Sequence, residues 1–335
     1  MLMKIDFVIL WVDGNDPDWQ AEKNVYAQID PEESSLVNRY RDWGLLPYWF
    51  RAVDKFAPWV HKIHFVTWGH VPPFLNIRNP KLHIVNHRDF IPSRYLPTFN
   101  SHAIEMNIHR IPELSEHFVY FNDDMFLLRP VKPEDFFRKG LPCTCGSEKP
   151  MELRGNPGAW IHAAVNDLAL VNAHFEKRSA VARFGRRYRA PVYRRKDNIR
   201  TWILEKLYPD YFTGFRNLHA PAAYCKTTFE EIWKAEPELL EATCRQRFRG
   251  CDQVNQWAAL WWQIASGRFY PYVIDNLVAV IREDTVRGLC TAVEGQKHVF
   301  ICLNDPEEEA DFEGLAALLK SSFEKLLPQS SSFEL

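Results

Sequence analysis

The sequence predicts an α/β fold whose mostly parallel sheet is flanked by helices. Three observations carry that expectation: continuous apolar runs rich in β-branched and aromatic residues, clusters of turn formers where those runs stop, and stretches of helical spacing that alternate with them. The composition agrees, since 335 residues with 46% hydrophobic and 25% charged side chains can bury one large core with insertions. A net charge of -2 argues against bulk attraction to nucleic acid, so no nucleic-acid partner is expected and any positive field must be local.

Lys4 to Val12 (KIDFVILWV) is a strand apolar on both faces, and it is too short for a secretory leader. It stops at DGNDPDW, which places Asp13, Gly14, Asn15 and Asp16 at the carboxyl end of a strand, where open α/β sheets bind ligands. Asn38 to Phe56 reads as a loop entering a helix. His61 to Trp68 and Lys81 to Val85 are further strands, with connections marked by Pro72, Pro73, Pro80 and Pro92. His61, His64 and His70, on a strand and its exit, are read as surface residues without a role.

Phe99 to Arg110 is a helix capped by Asn100 or Ser101, and His117 to Phe121 is a strand that stops at Asn122, Asp123 and Asp124 before the apolar run Met125 to Leu128. From Gly140 to Arg200 the pattern weakens toward an inserted helical or loop subdomain. Residues Lys177 to Arg200 hold ten Lys or Arg against the single acid Asp197, either to bind an anionic acceptor or as a solvated face.

Thr228 to Phe248 is helical with a capping-box-like start, and Val254 to Ala265 is a helix whose tryptophans belong in the core. Tyr272 to Ile281 and His298 to Cys302 form a late strand pair. Glu307 to Leu327, with acids first and Phe312, Leu315, Leu318, Leu319, Phe323 and Leu326 on one face, is an amphipathic helix docked on the body. Seven cysteines without a CxxC pair suggest neither a disulfide frame nor a zinc site, and a reducing cytoplasm is the simplest home.

Two acidic strand-end loops, 13–16 and 122–124, carry the chemistry most legible from residue type. Converging carboxylates repel unless a cation neutralises them, so a shared cleft implies Mg²⁺ or Mn²⁺, although each loop alone is equally a solvated turn. His219, followed by Ala220-Pro221, suits a general base, and Arg245, Arg247 and Arg249 suit phosphate. A structural loop histidine and arginines paired with nearby glutamates fit the same residues.

IDFVILWVDGNDPDW resembles the opening block of the Stealth proteins, bacterial capsule polysaccharide phosphotransferases related to the catalytic subunit of the lysosomal-enzyme N-acetylglucosamine phosphotransferase. The stretches RYRDWGLLPYWFRAVDKFAPWVHKIHFVTWGHVPPFL through HAIEMNIHRIPELSEHFVYFNDDMFL, then LHAPAAYCKTTFEEIWKAEPELLEATCRQRFRG, then FICLND, resemble the second, third and fourth blocks in order. The resemblance implies a Rossmann-like, GT-A-related fold. It also implies a transfer of hexose 1-phosphate from a UDP-sugar, such as UDP-N-acetylglucosamine, to an oligo- or polysaccharide hydroxyl with release of UMP.

Carried onto this sequence, the resemblance makes Asp16, Asp124, His219 and Arg249 catalytic, with Arg249 preferred to Arg247. It places Asp13, Gly14, Asn15, Asn122, Arg247 and Asn304 against substrate, and gives Asp16, Asp123, Asp124 and Asp305 to the metal. Residues 1–139 are then the nucleotide-sugar-binding core, 140–210 an inserted basic subdomain or lid, and 211–335 the remainder of the catalytic core. A cytoplasmic enzyme, peripheral at the inner face of a membrane in a polysaccharide-assembly complex, is the expected setting. The competing expectations are a metal-dependent glycosyltransferase releasing UDP and, from 12 Trp, a carbohydrate-binding protein without catalysis.

Overall fold

The computed structural model describes residues 3–27, 40–152, 158–306 and 311–335. Asn38 and the acids Glu307, Glu308 and Glu309 lie outside the described residues. The central sheet has the order β3-β2-β1-β4-β8, built from β1 (Ile5–Leu10), β2 (Ile63–Thr67), β3 (Leu82–Asn86), β4 (His117–Phe121) and β8 (Ala222–Cys225). β1 pairs parallel with β2 and β4, and β2 with β3, while β8 returns antiparallel to β4. The sheet is therefore mostly parallel, with one antiparallel edge, as GT-A-like folds allow.

Apart from Asp6, β1 is apolar because both its faces are covered. Phe7 and Ile9 point into a layer with α2 (Leu46–Phe56), α10 (Glu283–Glu294) and α11 (Phe312–Leu326), through side chains such as Trp49, Phe50, Leu289, Leu319 and Phe323. Val8 points the other way, into a layer with α3 (Ser101–Asn107), α4 (Ala159–His174), α7 (Lys226–Ala235), α8 (Pro237–Arg245) and α9 (Trp257–Ala265). Leu170, Val171, Ala180 and Tyr188 of the weakly patterned stretch join this second layer; the helices there are α4, α5 (Lys177–Tyr188) and α6 (Arg195–Leu207). A buried Phe or Leu contributes roughly 1.5–3 kcal/mol, so either layer resists removal of its aromatic members.

A second sheet joins β10 (Asn276–Val280), β11 (Phe300–Asn304) and β5 (Met125–Leu127), with β10 and β11 parallel and β11 antiparallel to β5. Only the turn Asn122–Asp124 separates β4 in the first sheet from β5 in the second, so that turn sits where the two sheets meet. A small third sheet holds β6 (Phe137–Arg138), β7 (Leu141–Thr144) and β9 (Tyr270–Pro271). Helix α1 (Pro17–Ala27) follows the first acidic loop.

Several expectations change. The helix expected from Thr228 starts at Lys226, with no side-chain cap on it, because Thr228 turns inward to Gln263, and Pro237 divides the run in two. His64 is fully buried rather than on the surface; it and His61 bond the equally buried Asp6 at 3.2 and 2.7 Å. Asn100 is the cap of α3, accepting from the His102 amide at 3.1 Å. The C-terminal helix docks as expected, burying Leu315, Leu319 and Phe323, but Leu318, expected on the same face, points to solvent and is 48% exposed. All seven cysteines are free.

Candidate active site

Three chain segments converge on Asp124. Its backbone carbonyl accepts from the Leu303 amide at 2.9 Å, so β11 pins the turn and brings Cys302, Asn304 and Asp305 alongside. β8 runs antiparallel to β4 with Tyr120 opposite Ala222, so the residues preceding β8 arrive at the same sheet edge as Asn122–Asp124. As a result, donor atoms of Asp124, His219 and Cys302 all lie within 4.8 Å of one another.

His219 is held in an uncommon conformation, with φ +43. Its amide donates to Asn217 Oδ1 at 2.8 Å, its carbonyl accepts from Asn276 Nδ2 at 2.8 Å, and its ring meets the edge of Trp257 at 6.5 Å. Left-handed backbone at a non-glycine residue costs of order 1–3 kcal/mol and persists where the surroundings over-determine it, a condition frequent at reactive sites.

Arg249 completes the group from the opposite side. Its Nε and Nη2 both donate to Ser101 Oγ, at 3.1 and 2.8 Å, and its charge acts on Asp123, Asp124 and Glu105. Ser101 in turn donates to Glu105, which is buried and also accepts from the Gln256 amide at 3.1 Å and the Tyr120 hydroxyl at 3.2 Å. The guanidinium is thereby braced through one hydroxyl by a buried carboxylate.

The acids here are under-compensated. Burial pushes Asp124 up, with His219, Cys302 and Arg249 only partly opposing it. Asp123 is exposed to solvent yet surrounded by many protein atoms; that crowding, with Asp124 and Asp42 acting on it, raises its carboxyl to about 7. Asp305 rises to about 6 through burial, against the pull of Arg41 at 3.3 Å.

Asp124 Oδ1 and Asp305 Oδ2 are buried without a hydrogen-bond partner. Unpartnered carboxylate oxygens whose charge is poorly balanced suit a hard divalent cation such as Mg²⁺ or Mn²⁺. The Cys302 thiol is pushed up by burial and by both aspartates, so it stays protonated and is no ligand for such an ion.

The remaining expected residues lie as follows. Asn122 is half-buried at the same turn, and Asn304 ends β11 with its Oδ1 3.4 Å from Cys302 Sγ. Asp16, like Asp123 and Asp305, lies outside the gathered group of Asp124, His219 and Cys302: its Oδ1 caps α1 through the Trp19 amide at 2.9 Å, and its Oδ2 faces His70 Nδ1 at 3.3 Å. The Trp19 amide and His70 hold its carboxyl below the usual range, which marks a satisfied acid. Asp13 accepts from the Asn15 amide at 2.9 Å, and its own amide donates to His70 Nε2 at 2.9 Å. Gly14 is required by a close approach, because a Cβ there would collide with the Tyr40 carbonyl. Both loops nonetheless share one sheet edge, since β1 and β4 are parallel neighbours.

Arg247 is committed to structure, donating to the Pro97 carbonyl and lying 4.3 Å over the Tyr26 ring. Sequence reasoning missed Ser101, Glu105, Asp42 and Cys302. A faint signal existed for one of them: Glu105 falls four residues after Ser101 and between the apolar Ile104 and Met106, where a carboxylate needs a partner.

The model for Stealth protein conserved region 1 matches residues 3–27, and that for conserved region 2 matches residues 39–143. The chain is 37% identical over 340 residues to the capsular polysaccharide phosphotransferase WcwK of Streptococcus pneumoniae, covering 99% of this chain and 98% of that one. It is 38% identical over 342 residues to the receptor polysaccharide phosphotransferase WefC of Streptococcus oralis, covering 99% of each. With the exopolysaccharide phosphotransferase cps2G of Lactiplantibacillus plantarum it shares 36% over 343 residues, 98% of this chain and 96% of that one. A likeness of this extent to relatives along their whole length, on a fold that presents its reactive side chains at the edge of a parallel sheet, makes the chain a member of the Stealth family and a transferase of phosphorus-containing groups.

Proposed function

We propose that the protein transfers a hexose 1-phosphate from a UDP-sugar, such as UDP-N-acetylglucosamine, to a hydroxyl of an oligo- or polysaccharide, releasing UMP. The observation that carries this reading is the placement of an imidazole and a braced guanidinium around one under-compensated aspartate, His219 and Arg249 around Asp124. The names of the relatives support a polysaccharide product.

In this reading the acceptor oxygen forms a bond to the β-phosphorus, while the bond from that phosphorus to the oxygen bridging the two phosphates breaks and UMP departs. His219 takes the hydroxyl proton. Arg249 spreads its charge over the equatorial phosphoryl oxygens, and Ser101 with Glu105 fixes its plane. The bond from C1 of the sugar to its oxygen survives, so anomeric configuration is kept. Asp124, with Asp123 and Asp305, would hold Mg²⁺ or Mn²⁺, which when bound supplies neutralisation of phosphate charge. Asn122 and Asn304 would bind donor or sugar.

The setting proposed is the cytoplasm, peripheral to the inner face of the membrane alongside other polysaccharide-assembly proteins. Among the described residues, no helix is long and apolar enough to cross a membrane. Product analysis across a panel of UDP-sugars tests the chemistry: UMP with a phosphodiester resonance in the glycan is expected. UDP with phosphorus-free product would instead establish a glycosyltransferase. Replacing His219 with Ala should reduce turnover by about 10²–10⁴-fold while donor binding persists, and unchanged turnover removes the imidazole from the reaction.

A further inference from the structure

Helix α6 is built inside out. Its inward face carries Asp197, Thr201 and Leu204, whereas Ile199, Trp202, Ile203 and Leu207 face outward and are 49%, 51%, 41% and 65% exposed. These positions recur at helical spacing and form one apolar stripe. The inward polar residues explain how the helix stays attached. Asp197, nearly fully buried, pairs with Arg200 at 2.9 Å and Arg216 at 3.0 Å, and Thr201 Oγ1 accepts from the Glu148 amide at 3.0 Å. Polar anchoring leaves the apolar side with nothing to cover it.

Cations frame the stripe. Arg194, Arg195, Lys196 and Lys206 are exposed, and none of the four makes an ion pair among the described residues. An open groove of about 530 Å³ beside the stripe is lined by Arg189, Pro191, Tyr193, Arg195, Ile199 and Trp202, so apolar and basic side chains share one surface. Val192, 49% exposed, extends it.

Such a surface fits a partner that offers apolar volume and negative charge together. An acidic polysaccharide would meet the cations and leave Ile199, Ile203 and Leu207 in water. A second copy of the chain, docking the same face about a twofold axis, would bring like charges into contact. An anionic lipid interface supplies both: the glycerol and upper acyl region accepts Trp, Ile and Leu, and headgroup phosphates meet Lys and Arg.

We propose that α6, lying in the plane of the interface with Trp202 as its central anchor, docks the protein on an anionic phospholipid bilayer. This deepens the peripheral placement given above and does not depend on the phosphoryl-transfer reading.

The test is co-sedimentation of the full chain, without donor, on vesicles of phosphatidylcholine alone or mixed with phosphatidylglycerol. Binding should require phosphatidylglycerol, weaken with salt, and fall about tenfold in Trp202→Ser and in the double variant Arg195→Glu with Lys196→Glu. All these side chains are exposed, so unchanged thermal melting will show that the variants fold, and product formation from a soluble acceptor should be unaffected. Equal binding to both vesicle types, or binding indifferent to the substitutions, overturns the proposal. So does a concentration-dependent dimer abolished by Trp202→Ser, which would assign the stripe to a second copy. Retention by a soluble acidic polysaccharide with no vesicle binding would assign the cations to polymer instead.

Discussion

The two ends of the central sheet each hold an aspartate enclosed by protein, fully buried Asp6 at one and half-buried Asp124 at the other, and they treat it in opposite ways. At the amino-terminal end Asp6, fully buried on β1, accepts from the Ser115 amide at 2.7 Å and is bonded by His61 and His64, the latter also 3.0 Å from His83. Burial acts to raise its carboxyl, but those partners outweigh it and hold the group down at about 2. At the carboxyl-terminal end Asp124 keeps one oxygen without a partner, and burial prevails. The same residue type on β1 and in the turn after neighbouring β4 is a structural pin where its lone pairs are filled and, in the proposed function, a reactive centre where they are not. Burial alone does not tell the two apart; hydrogen-bond accounting does.

The largest effect should separate them by activity. Asp124→Asn is expected to lower kcat by about 10³-fold while thermal stability holds or rises, since it removes an uncompensated charge. Parallel losses of activity and stability would break the contrast. Asp6→Asn should do the reverse, costing about 2–3 kcal/mol in chemical denaturation with unchanged kcat per folded molecule.

The pH dependence follows from the same shift. An unfolded Asp takes up its proton near pH 4 and the native Asp6 near 2, so its stabilisation is complete above about pH 4 and disappears as pH falls to about 2. Acid unfolding of Asp6→Asn should lack that component. A smaller effect is expected of Ser101→Ala, which frees the Arg249 plane without removing its charge. It should lower kcat about tenfold with little change in KM, and Ser101→Thr should retain most of the rate.

The smallest effect reads out the cation. Asp305, at about 6, keeps its proton in the native state after the unfolded chain has lost its own near pH 4, so the metal-free protein loses stability as pH rises between those values. Mg²⁺ should therefore raise Tm by a few degrees more at pH 8 than at pH 5. Equal shifts at both pH values would count against carboxylates as the ion's ligands.

Much of this was legible beforehand because strands declare themselves locally. The runs at Ile5, Ile63, Leu82 and His117 are covered on both faces and read as such, and both acidic turns fall at strand ends. What joins Asp124 to His219 is a strand pairing across about a hundred residues, and nothing local encodes that β8 returns antiparallel. The choice between Arg247 and Arg249 was equally hidden, since two arginines two residues apart differ only in their neighbours: one lies over Tyr26 and the other meets Ser101. Asp16 shows the limit of residue type alone, because Asp-Pro after a turn caps a helix as readily as it binds a ligand, and here it does cap α1. His64 was misread for a related reason, because an imidazole's place depends on an acid elsewhere, here Asp6.

The clasp between Leu303 and Asp124 has an implication for biosynthesis. The aspartate leaves the ribosome nearly two hundred residues before the strand that steadies its carbonyl, and the imidazole and guanidinium emerge in between. Stalled or clipped products ending short of that strand would carry Asp124, His219 and Arg249 and still lack both the latch that assembles them and Asp305. Such fragments would be inactive.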